Sequence, residues 1–468
     1  MVVGRLVNGI ARGVAGVTDT VGAVGDAFDP ALRLGVTGLA RAGKTVFVTS
    51  LVANLIDRGR MPGLSAAARI EAAFLQPQPD DTVPRFDYEA NLLALTGPAP
   101  RWPDSTRAVS ELRLSFRTRQ GGLLSGIAGA RTTHLDVVDY PGEWLLDLSL
   151  MDLHFTAWSA RALARLRRWE VGGYAAALAA VDPAAPLDEP TAGRLARAYV
   201  GDLRAAREKG ASDLTPGRFL MPGEMEGSPA LTFAPLPPLD AGRGSLAREF
   251  ARRFDSYKAR VARPFFRDHF ARIDRQVVLV DVLGAIRGGP RAMEELRESM
   301  ADVLRAFRPG RVGWLLGLLG ARRVDRILFA ATKADHLHHL QHPRLQAILE
   351  ALVREARDRA DFAGARTGAL VIAALRTTTE EEREVEGARR GLVRGTLPGG
   401  RRVALDPGAL PAEPGRMLDQ ARGGAARWLD GDYDLMDFEP APDTLRRGEG
   451  PPHIRMDRAA EFLLGDKL

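Results

Sequence analysis

Residues 34–51 read LGVTGLARAGKTVFVTSL, and Gly38–Thr45 within this stretch spells GLARAGKT. The pattern G-x-x-x-x-G-K-T lies between a short apolar strand at Leu34–Val36 and a helical run at Val46–Ile56. In that context it predicts a P-loop, whose backbone N–H groups and following helix bind the phosphates of a nucleoside triphosphate. Lys44 is expected to reach the β- and γ-phosphates, and the Thr45 hydroxyl is expected to ligate Mg²⁺.

The loop carries an additional cation, Arg41. An arginine held here can act on the charge that develops on the transferred phosphate, in the manner of an arginine finger supplied by the same chain. The alternative is a solvated arginine in an arginine-rich protein. The predicted nucleotide contacts of the loop are Gly38, Ala40, Arg41, Ala42, Gly43, Lys44, Thr45 and Val46.

The composition limits the classes of function. A chain of 468 residues with 45% hydrophobic and 26% charged residues is typical of globular proteins with two or three domains. The absence of cysteine excludes disulfides, thiolate nucleophiles and cysteine metal sites. The net charge of +6 is small beside 65 basic and 59 acidic residues, and aromatic residues make up only 6%, which argues against nucleic-acid binding.

The chain start and the hydropathy pattern indicate a cytoplasmic protein. Charges and glycines interrupt the apolar residues of the first 28 positions, so no signal peptide is expected. No run of 18 apolar residues occurs, so no transmembrane helix is expected. A peripheral contact with a membrane surface remains compatible with the mild positive charge.

Short apolar runs alternate with helical patterns. Strands are predicted at 111–119, 133–139, 276–283, 326–332 and 369–375, with the first two as an antiparallel pair and 111–119 at the sheet edge. Helices are predicted at 62–74, 290–307 and 343–360. This alternation predicts an α/β fold whose mostly parallel sheet is covered by helices on both faces.

The pattern also divides the chain into parts. We predict an N-terminal helical segment at 1–30, a P-loop domain at 31–145 and 273–378, an α-helical insertion at 146–272, and a C-terminal extension at 379–468. The insertion is rich in arginine and alanine, with apolar residues at helical spacing. The extension is expected to hold a few strands and a final helix at Met456–Leu464.

A D-x-x-G motif, Asp139-Tyr-Pro-Gly142, ends the strand at 133–139. In G-domain nucleotide hydrolases the aspartate at this position holds Mg²⁺, and the glycine N–H contacts the γ-phosphate. We assign these roles to Asp139 and Gly142. Asp136 is a lesser candidate because it lies within the strand.

A base-reading motif follows the strand at 326–332. Thr332-Lys333-Ala-Asp335 fits N/T-K-x-D, in which the carboxylate accepts two hydrogen bonds from guanine and the lysine stem packs over the base. Adenine offers no such donor pair and would leave the buried carboxylate unpaired. Threonine in place of the commoner asparagine leaves ATP open as an alternative to GTP and GDP. Ala373, Ala374 and Leu375 occupy the place of a final base-contacting loop.

Two further residues are candidates for hydrolysis. Thr106, with Ser105 as its alternative, lies where a switch threonine should close on Mg²⁺ and the γ-phosphate. Glu143 follows Gly142, where many GTPases keep a glutamine that positions the attacking water, although a glutamate there could equally cap the next helix. The predicted catalytic residues are therefore Lys44, Arg41, Glu143 and Thr106, and the predicted metal ligands are Thr45, Thr106 and Asp139.

Four histidines cluster between His336 and His342. Neither a carboxylate pair nor cysteine frames them in the sequence, so the pattern favours histidines of a loop or helix start over a metal site.

The motif segments resemble the YcjX-like P-loop family, also called DUF463. The resemblance rests on LGVTGLARAGKTVFVTSLVANL, LDVVDYPGEWLLDL, RILFAATKADHL and PHIRMDRAAEFLLGDKL, which span nearly the whole chain. It implies a Ras-like G domain with added helical and C-terminal parts, a link to stress response, and an inner-membrane partner of the YcjF type. The basic–apolar segment 310–323, GRVGWLLGLLGARR, departs from the pattern and could touch a membrane or a partner.

The leading hypothesis is a Mg²⁺-dependent GTP-hydrolysing switch protein. An ATPase of the same fold is the first alternative. The second is a nucleotide-dependent binding module with negligible turnover, acting through its helical insertion on a membrane partner.

Overall fold

The computed structural model of the protein describes residues 31–39, 41–104, 108–119, 131–211, 214–305, 324–362, 364–385, 387–429, 431, 433–441 and 448–468. Several predictions lie outside these residues. They concern the N-terminal helical segment, Ala40, Thr106 with its alternative Ser105, and the segment 310–323.

A seven-stranded sheet forms the centre of the fold. Its strands are β1 (Ala31–Gly38), β2 (Ile70–Gln76), β3 (Ser110–Thr118), β4 (Arg131–Asp139), β5 (Arg275–Val280), β6 (Arg326–Ala331) and β7 (Arg366–Val371). They lie in the order β2-β3-β4-β1-β5-β6-β7, and every pair from β4 to β7 is parallel. The predicted α/β fold with a mostly parallel sheet is confirmed. The carboxyl ends of these parallel strands share one edge, where loops can build a site.

The antiparallel side of the sheet differs from the prediction in one respect. β3 and β4 form the expected antiparallel pair. However, β3 is not the edge strand, because β2 pairs with its outer side, also antiparallel. The helix predicted at 62–74 is therefore wrong: a short turn at Ala67–Arg69 leads directly into β2. The alanine-rich sequence favours a helix, but intrinsic propensity is a weak determinant of structure, and pairing with β3 overrides it here.

The last parallel strand is shorter than predicted. β7 ends at Val371, whereas the sequence suggested a strand to Leu375. After Ile372 the chain leaves the sheet, and Ala373 forms an isolated antiparallel bridge with Ile454. Ala374 and Leu375 therefore lie in the loop beyond the strand, where a base-contacting segment would belong.

The helices are α1 (Lys44–Ile56), α2 (Tyr88–Thr96), α3 (Glu143–Leu146), α4 (Phe155–Arg168), α5 (Gly173–Ala179), α6 (Glu189–Glu208), α7 (Gly217–Leu220), α8 (Leu246–Tyr257), α9 (Arg263–Asp268), α10 (Val282–Arg287), α11 (Gly289–Arg305), α12 (His342–Phe362), α13 (Pro414–Arg422) and α14 (Met456–Leu464). The final helix has the predicted bounds. Among the described residues, none of the helices has the length and apolar content needed to cross a bilayer.

Both faces of the sheet are buried. Successive residues of β5 alternate between two cores: Val277 and Leu279 join the core that includes α1 and α14, whereas Val278 and Val280 join the core that includes α10–α13. Side chains of a strand point alternately to opposite faces, so this alternation requires apolar partners on each side. It explains the apolar run Val277–Val280. The strand predicted at 276–283 is shorter than expected, because Asp281 caps α10, which begins at Val282.

Residues 146–272, called the helical block below, contain α4–α9 and a third core. Aromatic rings dominate that core, and Trp158 stacks on Phe254 with ring centroids 5.0 Å apart. The C-terminal extension adds a second sheet with strands β8 (Thr379–Val385), β9 (Ala388–Thr396) and β10 (Arg402–Leu405), in the order β10-β9-β8.

A buried polar junction connects the residue after α3 to α7 and α8 of the helical block. Asp147 is almost fully buried, and its two carboxylate oxygens accept hydrogen bonds from the Gly217 N–H at 2.7 Å and from the Tyr257 hydroxyl at 2.5 Å. Burial raises the pKa of Asp147 to about 7, although these hydrogen bonds and the charge of Arg218 oppose the shift. The folded protein therefore binds a proton here more tightly than the unfolded chain.

The Asp147→Asn variant tests this junction. The stability that the raised pKa contributes is fully present below the ordinary value of 3.8 and is lost as pH rises towards about 7. Asparagine can accept from the Gly217 N–H through Oδ1 and donate from Nδ2 to the Tyr257 hydroxyl oxygen, but it cannot ionise. The stability of the variant relative to the natural protein should therefore increase between pH 4 and 7, by up to about 1.4 kcal/mol per pH unit.

Urea unfolding at pH 5 and pH 8 measures this change. Asp255→Asn, which removes an exposed carboxylate from the same helix as Tyr257, is the matched control for the loss of charge alone. The interpretation is contradicted if the free energy of unfolding of Asp147→Asn differs from that of the natural protein by the same amount at pH 5 and pH 8.

Candidate nucleotide-binding site

The P-loop connects β1 to α1 through a tight turn. Gly43 has φ +80°, a left-handed conformation that glycine adopts without strain, and Arg41 also has positive φ, +65°. A Cβ on Gly43 would meet no atom within 4 Å, so the conformation rather than crowding requires glycine here. The turn leaves open space in front of the backbone, as a phosphate cradle needs.

Lys44 is the first residue of α1 and reaches back across the loop. Its Nζ donates a hydrogen bond to the Gly38 carbonyl at 2.8 Å. The first turn of α1 contains no acidic residue, so nothing there offsets the partial positive charge of the helix N-terminus. Thr45 follows as the second residue of the helix, so its side chain starts from the same end.

The D-x-x-G turn lies directly against the P-loop. A Cβ on Gly142 would lie 2.1 Å from the Gly38 carbonyl oxygen, so only glycine permits this approach. Asp139 is buried at the end of β4, in parallel register with Val36 of β1. The two strands thus bring Asp139 and Thr45 to the same edge of the sheet. Asp136 pairs instead with Arg113 at 2.6 Å and takes a structural role.

A cavity of about 500 Å³ opens in front of the P-loop. It brings together most of the predicted site residues that the structure describes. Those lining it are Arg41, Ala42, Gly43, Lys44, Thr45, Val46, Glu143, Thr332, Lys333, Asp335, Ala374 and Leu375. Gly38, Asp139 and Gly142 do not line it but adjoin it through the contacts described above.

Asp335 is held at the other end of the cavity by the loop that follows β7. Its Oδ2 accepts hydrogen bonds from the Thr377 N–H at 2.8 Å and the Thr377 hydroxyl at 2.7 Å. The Thr378 hydroxyl donates to the Asp335 backbone carbonyl. Because these bonds fix one carboxylate oxygen, the side chain is oriented before any ligand binds.

Lys333 belongs to a small charged network beside Asp335. Its Nζ lies 2.6 Å from Asp281 Oδ2 and 3.6 Å from Asp437 Oδ1. Burial opposes ionisation of Asp437, but the charges of Lys333 and Arg287 outweigh it and lower the pKa of this carboxyl. Asp437 comes from the C-terminal extension, which therefore contributes to the wall of the cavity.

Two polar features lie near the base-reading loop: one suits a ligand, and the other connects the loop to α1. The Thr332 hydroxyl is buried, and no residue that the structure describes forms a hydrogen bond with it. Ser50 of α1 donates a hydrogen bond to the Ala374 carbonyl, so the P-loop helix and the loop after β7 are directly connected. A buried hydroxyl without a partner costs free energy unless a ligand or water satisfies it.

Glu143 is buried beside the P-loop and is held by the helical block. Arg207 of α6 donates a hydrogen bond from Nη2 to Glu143 Oε1 at 3.1 Å, and both side chains line the cavity. The next residue, Trp144, packs under the Arg218 guanidinium, whose Cζ lies 3.2 Å from the ring centroid. The segment after the D-x-x-G turn is thus fixed by residues of the helical block.

Ala373 also lines the cavity, beside Ala374 and Leu375. Several further residues of the cavity wall carry no signal in the sequence: Trp102, Pro103, Asp104, Arg207, Met221, His336, Pro398, Asp437, Phe438 and Glu439. Arg207 has no distinguishing signal, because it lies in a helix with several other arginines. Phe438 is fixed by packing against Gly395, where a Cβ would lie 2.4 Å from its ring. That pairing becomes visible only in the fold.

The arrangement fits a nucleotide. One end of the cavity offers a positively charged loop and a helix N-terminus, which suit phosphates. The part beside Asp335 offers an oriented carboxylate and a buried Thr332 hydroxyl that has no hydrogen-bond partner among the described residues, and both suit the polar edge of a base. Thr45 and Asp139 supply a hydroxyl and a carboxylate at the phosphate end, and Mg²⁺ prefers oxygen ligands of this kind.

Comparison with known proteins agrees with this geometry. The sequence profile of the YcjX-like family, DUF463, matches residues 32–468. The chain is 36% identical over 461 residues to the Ras-like GTPase YcjX of Escherichia coli (strain K12), covering 94% of this chain and 96% of that protein. It is 34% identical over 476 residues to the Ras-like GTPase YcjX of Shewanella oneidensis, covering 94% and 95%.

These relatives bear the names of GTPases, in agreement with the sequence prediction of a GTPase-type P-loop protein. The family match extends from the second residue of β1 to Leu468, beyond the end of α14, so it includes the P-loop, the helical block and the C-terminal extension. The resemblance inferred from the motifs is confirmed, and the chain belongs to the YcjX-like family.

Proposed function

We propose that this protein binds GTP with Mg²⁺ and hydrolyses it to GDP and phosphate. The observation that carries the proposal is the single cavity of about 500 Å³ that joins the P-loop to Asp335. The P-loop follows β1 and Asp335 follows β6, two strands away in the sheet, and both line this cavity, as the phosphate and base ends of one nucleotide require. The names of the relatives support the same activity.

At the phosphate end, Lys44 would exchange its hydrogen bond with the Gly38 carbonyl for the β- and γ-phosphate oxygens. Thr45 and Asp139 would hold Mg²⁺, as would Thr106, which lies outside the described residues. The ion, when bound, neutralises charge that develops on the phosphates. Gly142 would contact the γ-phosphate through its N–H, since its backbone lies against the P-loop.

At the base end, Asp335 would accept two hydrogen bonds from guanine. Thr377 supports this role because it fixes the carboxylate through Oδ2. The Lys333 stem would lie over the base, with Ala374 and Leu375 along its edge. ATP is the alternative ligand if this loop does not select the base.

For hydrolysis, Glu143 would orient or polarise the attacking water, with Arg207 positioning its carboxylate. Arg41 lines the same cavity from the P-loop and would act on the charge of the transferred phosphate. Glu143 would position the water, whereas Arg41 would stabilise charge on the phosphate. Substituting each residue separately should therefore distinguish the two roles.

The family resemblance also implies a stress-response role and a peripheral contact with an inner-membrane partner of the YcjF type, and we propose these as the setting of the switch. The helical block is the part best placed to transmit the nucleotide state, because it holds Glu143 and Trp144. A binding module with negligible turnover would keep this coupling but lose the hydrolytic step.

The Asp335→Asn variant tests the base assignment. An amide donates where the carboxylate accepts, so affinity for GDP should fall about 100-fold while affinity for xanthosine diphosphate rises. Calorimetric titration measures both constants. Asp358→Asn, which removes an exposed carboxylate of α12 outside the cavity wall, is the matched control and should leave both affinities unchanged. An unchanged ratio of the two affinities in Asp335→Asn would contradict the assignment.

Single-turnover GTP hydrolysis tests the catalytic assignment. Glu143→Ala and Arg207→Ala should each slow the reaction roughly 100-fold, which is the lower end for loss of a positioned acid–base group. The double variant should be no slower than the slower single one, since the two side chains act as a unit. Arg204→Ala, an exposed residue of the same helix, should leave the rate unchanged.

The same assay applied to Arg41→Ala should give a loss of roughly 1,000-fold if this arginine stabilises the transferred phosphate. Affinity for GDP should change little, because the β-phosphate contacts remain. Unchanged rates in both Arg41→Ala and Glu143→Ala would reject both roles and leave hydrolysis to Lys44 and the metal ion.

A further inference from the structure

The fold brings a carboxylate to the histidine cluster that the sequence leaves unframed. His338 and His339 follow the base-reading loop, and Glu380 is the second residue of β8 in the C-terminal extension. Glu380 Oε2 lies 2.5 Å from His339 Nδ1 and 3.9 Å from His338 Nε2. One ligand atom from each of the three side chains lies within 4.8 Å of the others.

We propose that His338, His339 and Glu380 form a binding site for a first-row transition-metal ion of the Zn²⁺ class, with water completing the coordination. Two imidazoles and one carboxylate are a ligand set that Zn²⁺ uses at sites with an open position. Imidazole nitrogen discriminates against Mg²⁺, which prefers oxygen. The site is therefore chemically distinct from the oxygen ligands Thr45 and Asp139.

The distances suit an ion after small side-chain adjustments. Metal–ligand distances of about 2.1 Å in a tetrahedral site place neighbouring ligand atoms roughly 3.4 Å apart. The two measured distances, 2.5 and 3.9 Å, lie on either side of this value. Rotations that move each atom by less than about 1 Å would therefore satisfy both. Neutral His339 would carry its proton on Nε2, leaving Nδ1 as the ligand. Binding through His338 Nε2 would place that ring's proton on Nδ1, so the 3.5 Å hydrogen bond that Nδ1 accepts from the Leu340 N–H would be given up.

The surrounding structure holds these ligands near one another. The His338 ring packs on Gly391 of β9, where a Cβ would lie 2.5 Å from its Cγ. Glycine at this position therefore makes room for the imidazole. The Thr377 and Thr378 hydrogen bonds to Asp335 join the start of β8 to the loop that carries both histidines. The loop that carries both histidines and the strand that carries Glu380 are therefore tied to each other.

Access and charge are also compatible with an ion. The side chain of His338 is only 4% exposed, whereas that of His339 is 58% exposed and Glu380 lies between them at 20%. The site thus has a buried side and a side open to solvent. Arg376 approaches Glu380 through the other carboxylate oxygen, Oε1, at 3.7 Å, so Oε2 remains directed to the histidines.

Metal binding would fasten the base-reading loop to the C-terminal sheet. Because the ion would bind the folded arrangement and not the unfolded chain, it should raise the unfolding temperature.

The test uses the full-length protein, stripped with chelator and then supplied with GDP and excess Mg²⁺ to occupy the nucleotide site. Titration with Zn²⁺ against a chromophoric chelator should give one ion per chain. Co²⁺ should give visible absorption bands of a nitrogen- and oxygen-ligated ion. His339→Ala and Glu380→Gln should each weaken binding about tenfold or more and diminish the Co²⁺ bands.

Two matched variants serve as controls. His154→Ala removes an exposed histidine of the helical block, and Glu382→Gln changes the next glutamate on the same face of β8. Both should retain natural affinity. The proposal is overturned if the natural protein takes up no Zn²⁺ or Co²⁺, or if the ion binds equally well to the site variants and the controls. GDP affinity is measured separately for each variant, so that loss of the metal site can be distinguished from damage to the nucleotide site.

Discussion

The contact between Gly38 and Gly142 is the constraint on which the site depends. A methyl group at Gly142 would lie 2.1 Å from the Gly38 carbonyl oxygen, so a side chain there would force the D-x-x-G turn away from the P-loop. A second close approach follows, since a Cβ on Gly217 would lie 2.2 Å from the Glu143 carbonyl oxygen. P-loop, turn and helical block therefore form one backbone-to-backbone stack, and Glu143 is held between the last two.

The opposite end of the cavity is organised by hydrogen bonds rather than by close packing. Thr377 orients Asp335, and the extension supplies Asp437 beside Lys333. The nucleotide site thus draws on the central sheet, the helical block and the C-terminal extension. This shared construction explains why the family similarity extends over nearly the whole chain and not only over the motifs. A change in the γ-phosphate contacts would act first on Gly142 and Glu143, and through Arg207 on the helical block.

The sequence was sufficient for the parts of the fold and site that depend on local patterns. Gly38–Thr45, Asp139–Gly142 and Thr332–Asp335 are contiguous motifs, and the predicted parallel sheet places all three at the carboxyl ends of its strands. β2 was missed because its alanine-rich sequence has no strand signal apart from its pairing with β3. Arg207, Asp437 and Glu380 were missed for a related reason. Each acquires its partner from a distant part of the chain, and a single sequence does not encode that proximity in any periodicity.

The central claim is that Asp335, oriented by Thr377, makes the cavity a guanine nucleotide site. Calorimetric titration of the natural protein with GDP and with ADP, at the same Mg²⁺ concentration, tests it most directly. GDP should bind at least about 100-fold more tightly, because guanine can donate to the Asp335 carboxylate oxygen that Thr377 leaves available, whereas adenine offers no such donors. Equal affinity for GDP and ADP would contradict it.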